Sequence, residues 1–169
     1  MKKVLGGFLL GIFLFSIIPI EVKANSLGLI YTDSEIPGEI YTSANLCGEE
    51  FNICPELLMS IAYHESRYQA DAKNGSCIGL MQVNVKAHKE RIEAYGFTEK
   101  DMYDEYKNMI IASDILEELF NEYEDVGTVL CIYNGDSKGL RAYKEYGLLP
   151  KYATNVLKKS EELERAHGK

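Results

Sequence analysis

The 169-residue sequence is poor in positive charge and in histidine, and it contains no tryptophan. Its 18 lysines and arginines are outnumbered by 26 aspartates and glutamates, which gives a formal net charge of −8. Such an acidic chain is a poor partner for nucleic acid or anionic membranes, because the electrostatic interaction with phosphate is repulsive. The 3 histidines are scattered, and no spacing resembles a metal site. We therefore expect no nucleic-acid partner, no metal and no cofactor.

The one long apolar run lies at the N-terminus. Lys2 and Lys3 precede an apolar stretch at residues 4–20, and Val22-Lys23-Ala24 follows as a small-residue cleavage site. The run is short for a membrane span, it contains glycines and a proline, and no cysteine follows it for lipid attachment. We interpret residues 1–24 as a secretory signal peptide, with an uncleaved anchor as the alternative. The mature chain would then be secreted or extracytoplasmic.

Export would make disulfides possible, because they form in oxidising compartments. Cys47, Cys54, Cys77 and Cys131 allow three connectivities, and the sequence does not choose among them. The pair Cys47–Cys54 is the local option. Cys131 lies in an apolar helical run, where a buried thiol is the simpler interpretation.

The rest of the chain predicts one predominantly helical domain with a small β element. Residues 25–43 mix glycine, proline, threonine and serine without a sustained period, and we interpret them as a linker before a domain at residues 44–166. Loose alternation around Gly79 predicts a hairpin at residues 77–85. Apolar residues at helical spacing predict helices, at residues 43–51, 55–66, 87–95, 108–123, 126–134 and 151–166. This combination is typical of the α+β class.

Glu65 stands out because it continues an apolar stripe near the end of the second predicted helix. Leu57 and Ile61 precede it at four-residue spacing and share its face. No basic residue lies three or four positions away to pair with it. Burial and the negative end of the helix dipole would both raise the pKa of this carboxyl group, which suits a general acid near neutral pH. The plainer alternative is a glutamate at a helix end that points into water.

Three motifs in a fixed order carry a resemblance to a known family. They are His64-Glu65-Ser66, Gly79-Leu80-Met81-Gln82 and Ile132-Tyr133-Asn134-Gly135, with Tyr152 following near the end. Together they resemble the catalytic domain of lytic transglycosylases of the soluble (Slt) type, the family 23 branch of the lysozyme superfamily. The resemblance covers about residues 46–163. It departs from the family at residues 104–108, where the frequent pattern Asn-Pro-Glu-X-Asn lacks its proline, and at residues 135–136, where Gly-Asp replaces Ala-Gly.

The resemblance implies a lysozyme-like fold that cleaves the MurNAc–GlcNAc β-1,4 bond of peptidoglycan. Glu65 matches the single catalytic acid, which would act first as acid and then as base while the muramyl C6 hydroxyl closes on C1 to leave a 1,6-anhydro end. The predicted substrate-binding set is Ser66, Met81, Gln82, Asn84, Tyr133, Asn134 and Tyr152. Within it, Ser66 would support the local geometry of the acid. The expected partner is a peptidoglycan glycan strand, bound by a monomer that is associated with the cell wall.

A single carboxylate suffices for this reaction, whereas most glycosidases use two. Asp71 and Asp136 are candidates for a second acid, but both are better explained as solvated loop acids or helix caps. A goose-type lysozyme, which hydrolyses the bond with water, fits the same pattern. A third interpretation is a wall-binding component of an envelope-spanning machine that has lost catalysis. A partner in such machinery remains open for the enzyme as well.

Overall fold

The structure is a computed structural model that describes residues 36–169. The predicted signal peptide and residues 25–35 of the predicted linker lie outside the described residues. Within the described part, seven α-helices and one 3₁₀ helix surround a sheet of three short strands. The predicted α+β class is confirmed. None of the helices in residues 36–169 is both long enough and apolar enough to cross a membrane.

Helix α2 is the centre of the arrangement, since it packs against both α1 and α7, while α4 packs against α1 and α5. Leu58, Ile61 and Leu116 are among the side chains that lose all their exposed surface in this core. The helices are α1 (Gly38–Glu50), α2 (Pro55–Ser66), α3 (Lys89–Ala94), the 3₁₀ helix (Glu99–Tyr103), α4 (Glu105–Glu122), α5 (Val126–Tyr133), α6 (Ser137–Tyr146) and α7 (Lys151–Ala166).

The first helix begins earlier than the sequence pattern predicted, at Gly38 rather than at residue 43, so the end of the predicted linker is helical. Ile40, Ala44 and Cys47 are buried at helical spacing on one face of α1. Pro37 immediately precedes the helix, where its missing N–H costs no hydrogen bond. The proline and glycine that resembled a linker therefore mark a helix start.

The sheet is an antiparallel meander of β1 (Lys73–Asn74), β2 (Cys77–Ile78) and β3 (Val83–Asn84). Strand β2 is central, because Asn74 pairs with Cys77 and Cys77 pairs in turn with Asn84. The predicted hairpin of β2 and β3 is confirmed, whereas β1 was missed because two exposed polar residues carry no hydrophobic pattern.

Helix α6 was missed as well. It has no buried residue, although its sequence is amphipathic, with Leu140 and Tyr143 at helical spacing on a half-buried face. Asp136 begins it, since a side-chain oxygen of Asp136 accepts a hydrogen bond from the N–H of Gly139 at 2.8 Å. The same arrangement begins α5, where Asp125 accepts from the N–H of Thr128 at 2.7 Å.

A buried carboxylate joins the start of α2 to the end of the chain. Glu56 is 2% exposed, and it contacts His167 Nδ1 and Lys169 Nζ, both at 2.8 Å. Burial opposes its charge, but hydrogen bonds from Lys169, the Cys54 thiol and His167 outweigh burial and lower the pKa of Glu56 to about 2. This contact holds α7 against α2.

All four cysteines are free thiols in the structure, so no disulfide of any of the three possible connectivities is formed. Cys47 and Cys131 are buried, which agrees with the interpretation of Cys131 as a core thiol. Burial raises the pKa of Cys47 to about 12, so this thiol is unreactive near neutral pH.

Candidate active site

Helix α2 brings Glu65 to the wall of a groove. Leu57 and Ile61 on the same face are buried, and Glu65 itself is half-buried one residue before the helix ends. The chain leaves the helix through Arg67, whose φ of 58° lies in the left-handed region and turns the backbone sharply away. Glu65 is therefore held by a packed helix while its carboxyl group faces the groove.

The direct partner of this carboxyl group is Tyr152 in α7. Its hydroxyl donates a hydrogen bond to Glu65 Oε1 at 2.5 Å, across 87 residues of sequence. Burial raises the pKa of Glu65, and the Tyr152 hydrogen bond, which lowers it, offsets burial only in part. Burial and the charge of Glu65 also raise the pKa of Tyr152, so the phenol remains a donor. Glu65 therefore keeps its proton to a higher pH than an exposed glutamate would.

Tyr133 lies near the same carboxylate but makes a different hydrogen bond. Its hydroxyl donates to the backbone carbonyl of Met81 at 2.9 Å and so ties α5 to the loop before β3. Burial, and then the charges of Glu65 and Cys77, raise the pKa of Tyr133 well above its usual value. The one donor of the phenol is thus already used, which leaves its ring and oxygen lone pair to face a ligand.

Gln82 lies in the turn between β2 and β3 with a positive φ of 50°, which is unusual for a residue with a side chain. Its side-chain nitrogen donates to the carbonyl oxygens of Gly79, at 2.9 Å, and Ala72, at 3.2 Å. Both amide hydrogens are therefore engaged in holding the turn. The side-chain oxygen remains as an acceptor on the groove wall.

The turn is held from behind by Asn108, which has no exposed surface although it is polar. Its side-chain nitrogen donates to the carbonyls of Ile78 and Met102, at 2.9 and 2.8 Å, and its oxygen accepts from the N–H of Met81 at 2.8 Å. Gly79 lies against it with a φ of 81°, and a Cβ there would collide with Asn108 and the Met102 carbonyl. Asn108 thus locks the hairpin onto α4.

The other predicted site residues fall into two groups. Asn84 and Asn134 are exposed and line the groove, with Asn134 at the C-terminal end of α5. Ser66 and Met81 lie behind the wall: the Ser66 hydroxyl donates to the Leu80 carbonyl at 2.7 Å, and the Met81 side chain has no exposed surface. Five predicted side chains therefore line the groove: Glu65, Gln82, Asn84, Tyr133 and Asn134. Tyr152 contacts Glu65, and Ser66 and Met81 lie beneath the wall.

The groove has a volume of about 490 Å³. Its walls are formed by the sheet, the end of α2, the start of α3, the middle of α4 and the end of α5. The lining residues are Glu65, Asn74, Cys77, Gln82, Val83, Asn84, His88, Arg91, Ile115, Glu118, Leu119, Ile132, Tyr133, Asn134 and Gly135. Burial, and after it the charge of Glu65, raise the pKa of the Cys77 thiol, which places Cys77 on the same part of the wall as the acid.

A second acid beside Glu65 is not found among the groove-lining residues of the described chain. The other carboxylate on the wall, Glu118, forms an ion pair with Arg91. Asp71 is exposed, and Asp136 caps α6. In residues 36–169, no three His, Cys, Asp or Glu side chains are placed to share a metal ion.

Sequence reasoning missed Asn108 as a positioning residue and the charged groove residues His88, Arg91 and Glu118. Asn108 had a detectable signal, because it takes a place in the apolar period that continues at Ile111 and Ile115 of α4. The charged residues had none, since exposed charges at helical spacing are the ordinary pattern of a solvated face.

Comparison with known protein families gives a match. The sequence model of the family described as "Transglycosylase SLT domain" matches residues 44–153, which is more than half of the chain. The matched span contains Glu65, the hairpin, Tyr133 on the groove wall and Tyr152, which contacts Glu65. A comparison with curated proteins finds no match.

Proposed function

Because the chain belongs to the transglycosylase SLT family, we propose that it is a peptidoglycan lytic transglycosylase with Glu65 as its single acid. The family has a lysozyme-like fold and comprises glycan-cleaving enzymes that act on peptidoglycan. The proposal adds to this the bond that is cleaved, MurNAc–GlcNAc β-1,4, and a 1,6-anhydro-MurNAc product.

The observation that carries the proposal is the half-buried Glu65 on the groove wall with Tyr152 at 2.5 Å. A retaining or inverting hydrolase with two carboxylates needs a second acid a few ångströms away across the scissile bond. The described groove offers only Glu118, whose charge is already engaged by Arg91. A reaction in which the substrate supplies its own nucleophile fits a groove with one free acid.

The chemistry follows from the two carboxyl oxygens of Glu65. Tyr152 binds Oε1, so Oε2 is the oxygen left to hold the proton. In the first step Oε2 gives this proton to the glycosidic oxygen, and the bond from that oxygen to C1 of MurNAc breaks. In the second step the carboxylate takes the proton of the muramyl C6 hydroxyl, and O6 bonds to C1. The acid is regenerated and no water is consumed.

The raised pKa of Glu65 supports both steps, because one group must give up a proton and then take one back near the working pH. Tyr152 stabilises the carboxylate that exists between the steps through a charge-assisted hydrogen bond. Exposing Glu65 to water would lower its pKa, whereas removing the Tyr152 hydroxyl would raise it.

The remaining wall residues are proposed to hold the sugars. Gln82 can only accept, through its free oxygen, so it suits a hydroxyl or the N–H of an N-acetyl group. Asn84 in β3 and Asn134 at the C-terminal end of α5 both offer side-chain amide groups on the groove wall. Tyr133 contributes its ring. Ser66 and Met81 would act from beneath, through the backbone contacts that shape the wall.

We also propose that the enzyme works outside the cytoplasm as a monomer, on glycan strands of the wall. The family acts on peptidoglycan in the periplasm or extracellular space, and the predicted signal peptide agrees with this location. A partner in an envelope-spanning machine would recruit such a small domain to one place on the wall.

The test is mass spectrometry of the fragments released from purified sacculi by the wild type, by Glu65→Gln and by Glu117→Gln. Glu117 makes the same charge change on α4 and does not line the groove. We expect anhydro ends from the wild type and Glu117→Gln, and none from Glu65→Gln. Reducing ends heavier by one water would identify a goose-type hydrolase instead. Tight binding to sacculi without release of fragments would favour the non-catalytic wall-binding role.

A further inference from the structure

Part of the groove carries charges that a glycan backbone does not need. The sugars of peptidoglycan offer hydroxyl, N-acetyl and amide-linked lactyl groups, all of which are neutral. The wall nevertheless contains His88, Arg91 and Glu118. The charged parts of peptidoglycan are its peptide stems rather than the glycan strand that Glu65 is proposed to cleave.

These charges form one connected group. Arg91 binds Asp114 at 2.8 Å through Nη1 and contacts Glu118 through Nη2, so a single guanidinium bridges two turns of α4. Burial, and then the charge of Arg91, lower the pKa of His88, which keeps the imidazole neutral at pH 7. One positive and two negative charges leave the group with a net charge of −1.

The outward-facing member of this group is Glu118. Its side chain is 64% exposed, whereas Arg91 and Asp114 are 22% and 23% exposed. Arg91 engages Glu118 Oε2, so Oε1 remains to accept from a ligand. No charge of this group is among the causes that shift the pKa of Glu65, which are burial and then the Tyr152 hydrogen bond, whereas the pKa of His88 is shifted by burial and then by Arg91, Glu118 and Asp114.

From this sign and this placement we infer that Glu118, held in place by Arg91, is a specificity residue that binds the free side-chain amine of the diamino acid in the peptide stem. The inference rests on the proposed function, since it concerns the same groove and the same polymer. A stem whose amine is consumed by a cross-link loses this interaction. The enzyme would therefore prefer strands that are not cross-linked at the cleavage position.

The experiment compares three samples of one uncross-linked strand preparation, with stem amines left free, reductively dimethylated or acetylated. Dimethylation adds bulk and keeps the positive charge, whereas acetylation adds bulk and removes it. We expect the wild type to release anhydro ends from free and dimethylated strands about twofold to fivefold faster, in kcat/KM, than from acetylated strands, as for an exposed ion pair. Raising the ionic strength should shrink this ratio.

Two variants assign the effect to the residue. Glu118→Gln brings the group from −1 to zero and should bring the ratio of free to acetylated strands close to one, and Glu118→Lys should bring it to one or below. Glu117→Gln, with the same charge change one residue away, should keep the wild-type ratio. Thermal unfolding of each variant checks that the fold is retained.

The inference is overturned if the wild type cleaves all three samples at one rate, or if Glu118→Gln keeps the wild-type ratio. A rate that is low for both dimethylated and acetylated strands would also overturn it, because bulk rather than charge would then decide. If no sample yields anhydro ends with the wild type, the proposed function fails and this inference with it. These outcomes separate the two claims.

Discussion

Replacing Tyr152 by phenylalanine removes one oxygen atom from the site, the one that donates to Glu65 Oε1 at 2.5 Å. This hydrogen bond favours the charged form of Glu65 and opposes the effect of burial. Without it, the pKa of Glu65 rises further. Because the first step of the proposed reaction needs the protonated acid, the fall in kcat/KM at alkaline pH should move to higher pH in Tyr152→Phe.

The size of the shift follows from the strength of the bond. Hydrogen bonds to charged groups contribute about 1.5–3 kcal/mol, and one pKa unit corresponds to about 1.36 kcal/mol, so the limit is roughly one to two pH units. Glu65 is only half-buried, and water can replace part of the lost bond, so we expect about one unit. The maximal rate should fall by at least about tenfold, since the carboxylate formed during bond cleavage loses its donor.

The matched control is Tyr133→Phe, which removes a phenol oxygen from the same groove. That hydroxyl donates to the Met81 carbonyl rather than to Glu65, so its loss should lower stability or sugar binding without moving the alkaline limb. The assay is the pH dependence of anhydro-end release under conditions where kcat/KM is measured. An unmoved limb in Tyr152→Phe, or an equal shift in Tyr133→Phe, would refute the assignment of Tyr152 as the group that tunes the acid.

Three further predictions concern stability. The pKa of Glu65 is raised in the folded state, so ionisation of this group lowers the stability of the fold as pH rises above about 4.5. In urea unfolding at pH 7, the free energy of unfolding of Glu65→Gln should therefore exceed that of the wild type by on the order of 1 kcal/mol. At pH 4 this difference should vanish. Asn108→Ala leaves three buried backbone groups without a hydrogen-bond partner, so it should lower the free energy of unfolding by at least about 3 kcal/mol. The control Asn121→Ala, at an exposed position of the same helix, should change it by less than about 0.5 kcal/mol, as measured by thermal unfolding. The pKa of Glu56 is about 2 against a usual 4.5, so its charge stabilises the fold above pH 4.5, and that contribution disappears as pH falls toward 2. The free energy of unfolding of Glu56→Gln should therefore be lower than that of the wild type by up to about 3 kcal/mol at pH 7, and by little in strong acid.

The predictable parts of this molecule are those in which a local pattern coincides with burial. The helix of Glu65 is an example, because Leu57 and Ile61 mark its buried face and Pro55 its start. The last helix was predicted at residues 151–166, and the structure has it there, after Pro150. Helix α6 has the pattern without the burial: Leu140 and Tyr143 lie at helical spacing, but their face is only half-buried, and the helix was missed.

Site residues were predictable as a neighbourhood but not as a set of bonds. The motifs predicted that Gln82, Tyr133 and Tyr152 lie near Glu65, yet nothing in the sequence shows that Tyr152 contacts the acid while Tyr133 contacts a carbonyl. Those two bonds span 87 and 52 residues. They depend on how α5 and α7 pack around α2, which is decided by the whole core rather than by the segments that contain the tyrosines.

Helix α2 also shows why residue type alone does not define an acid's role. Glu56 and Glu65 lie nine residues apart on this helix, and both are withdrawn from solvent. Glu56 is at the N-terminal end, where the dipole favours negative charge, and three side chains donate to it, so its pKa falls. Burial raises the pKa of Glu65, which lies near the C-terminal end where the dipole also opposes charge. Among the described residues only Tyr152 donates to it, and this bond offsets burial only in part. One carboxylate therefore stays ionised and fastens the chain end, while the other favours its protonated form more than an exposed glutamate does, as the proposed reaction requires.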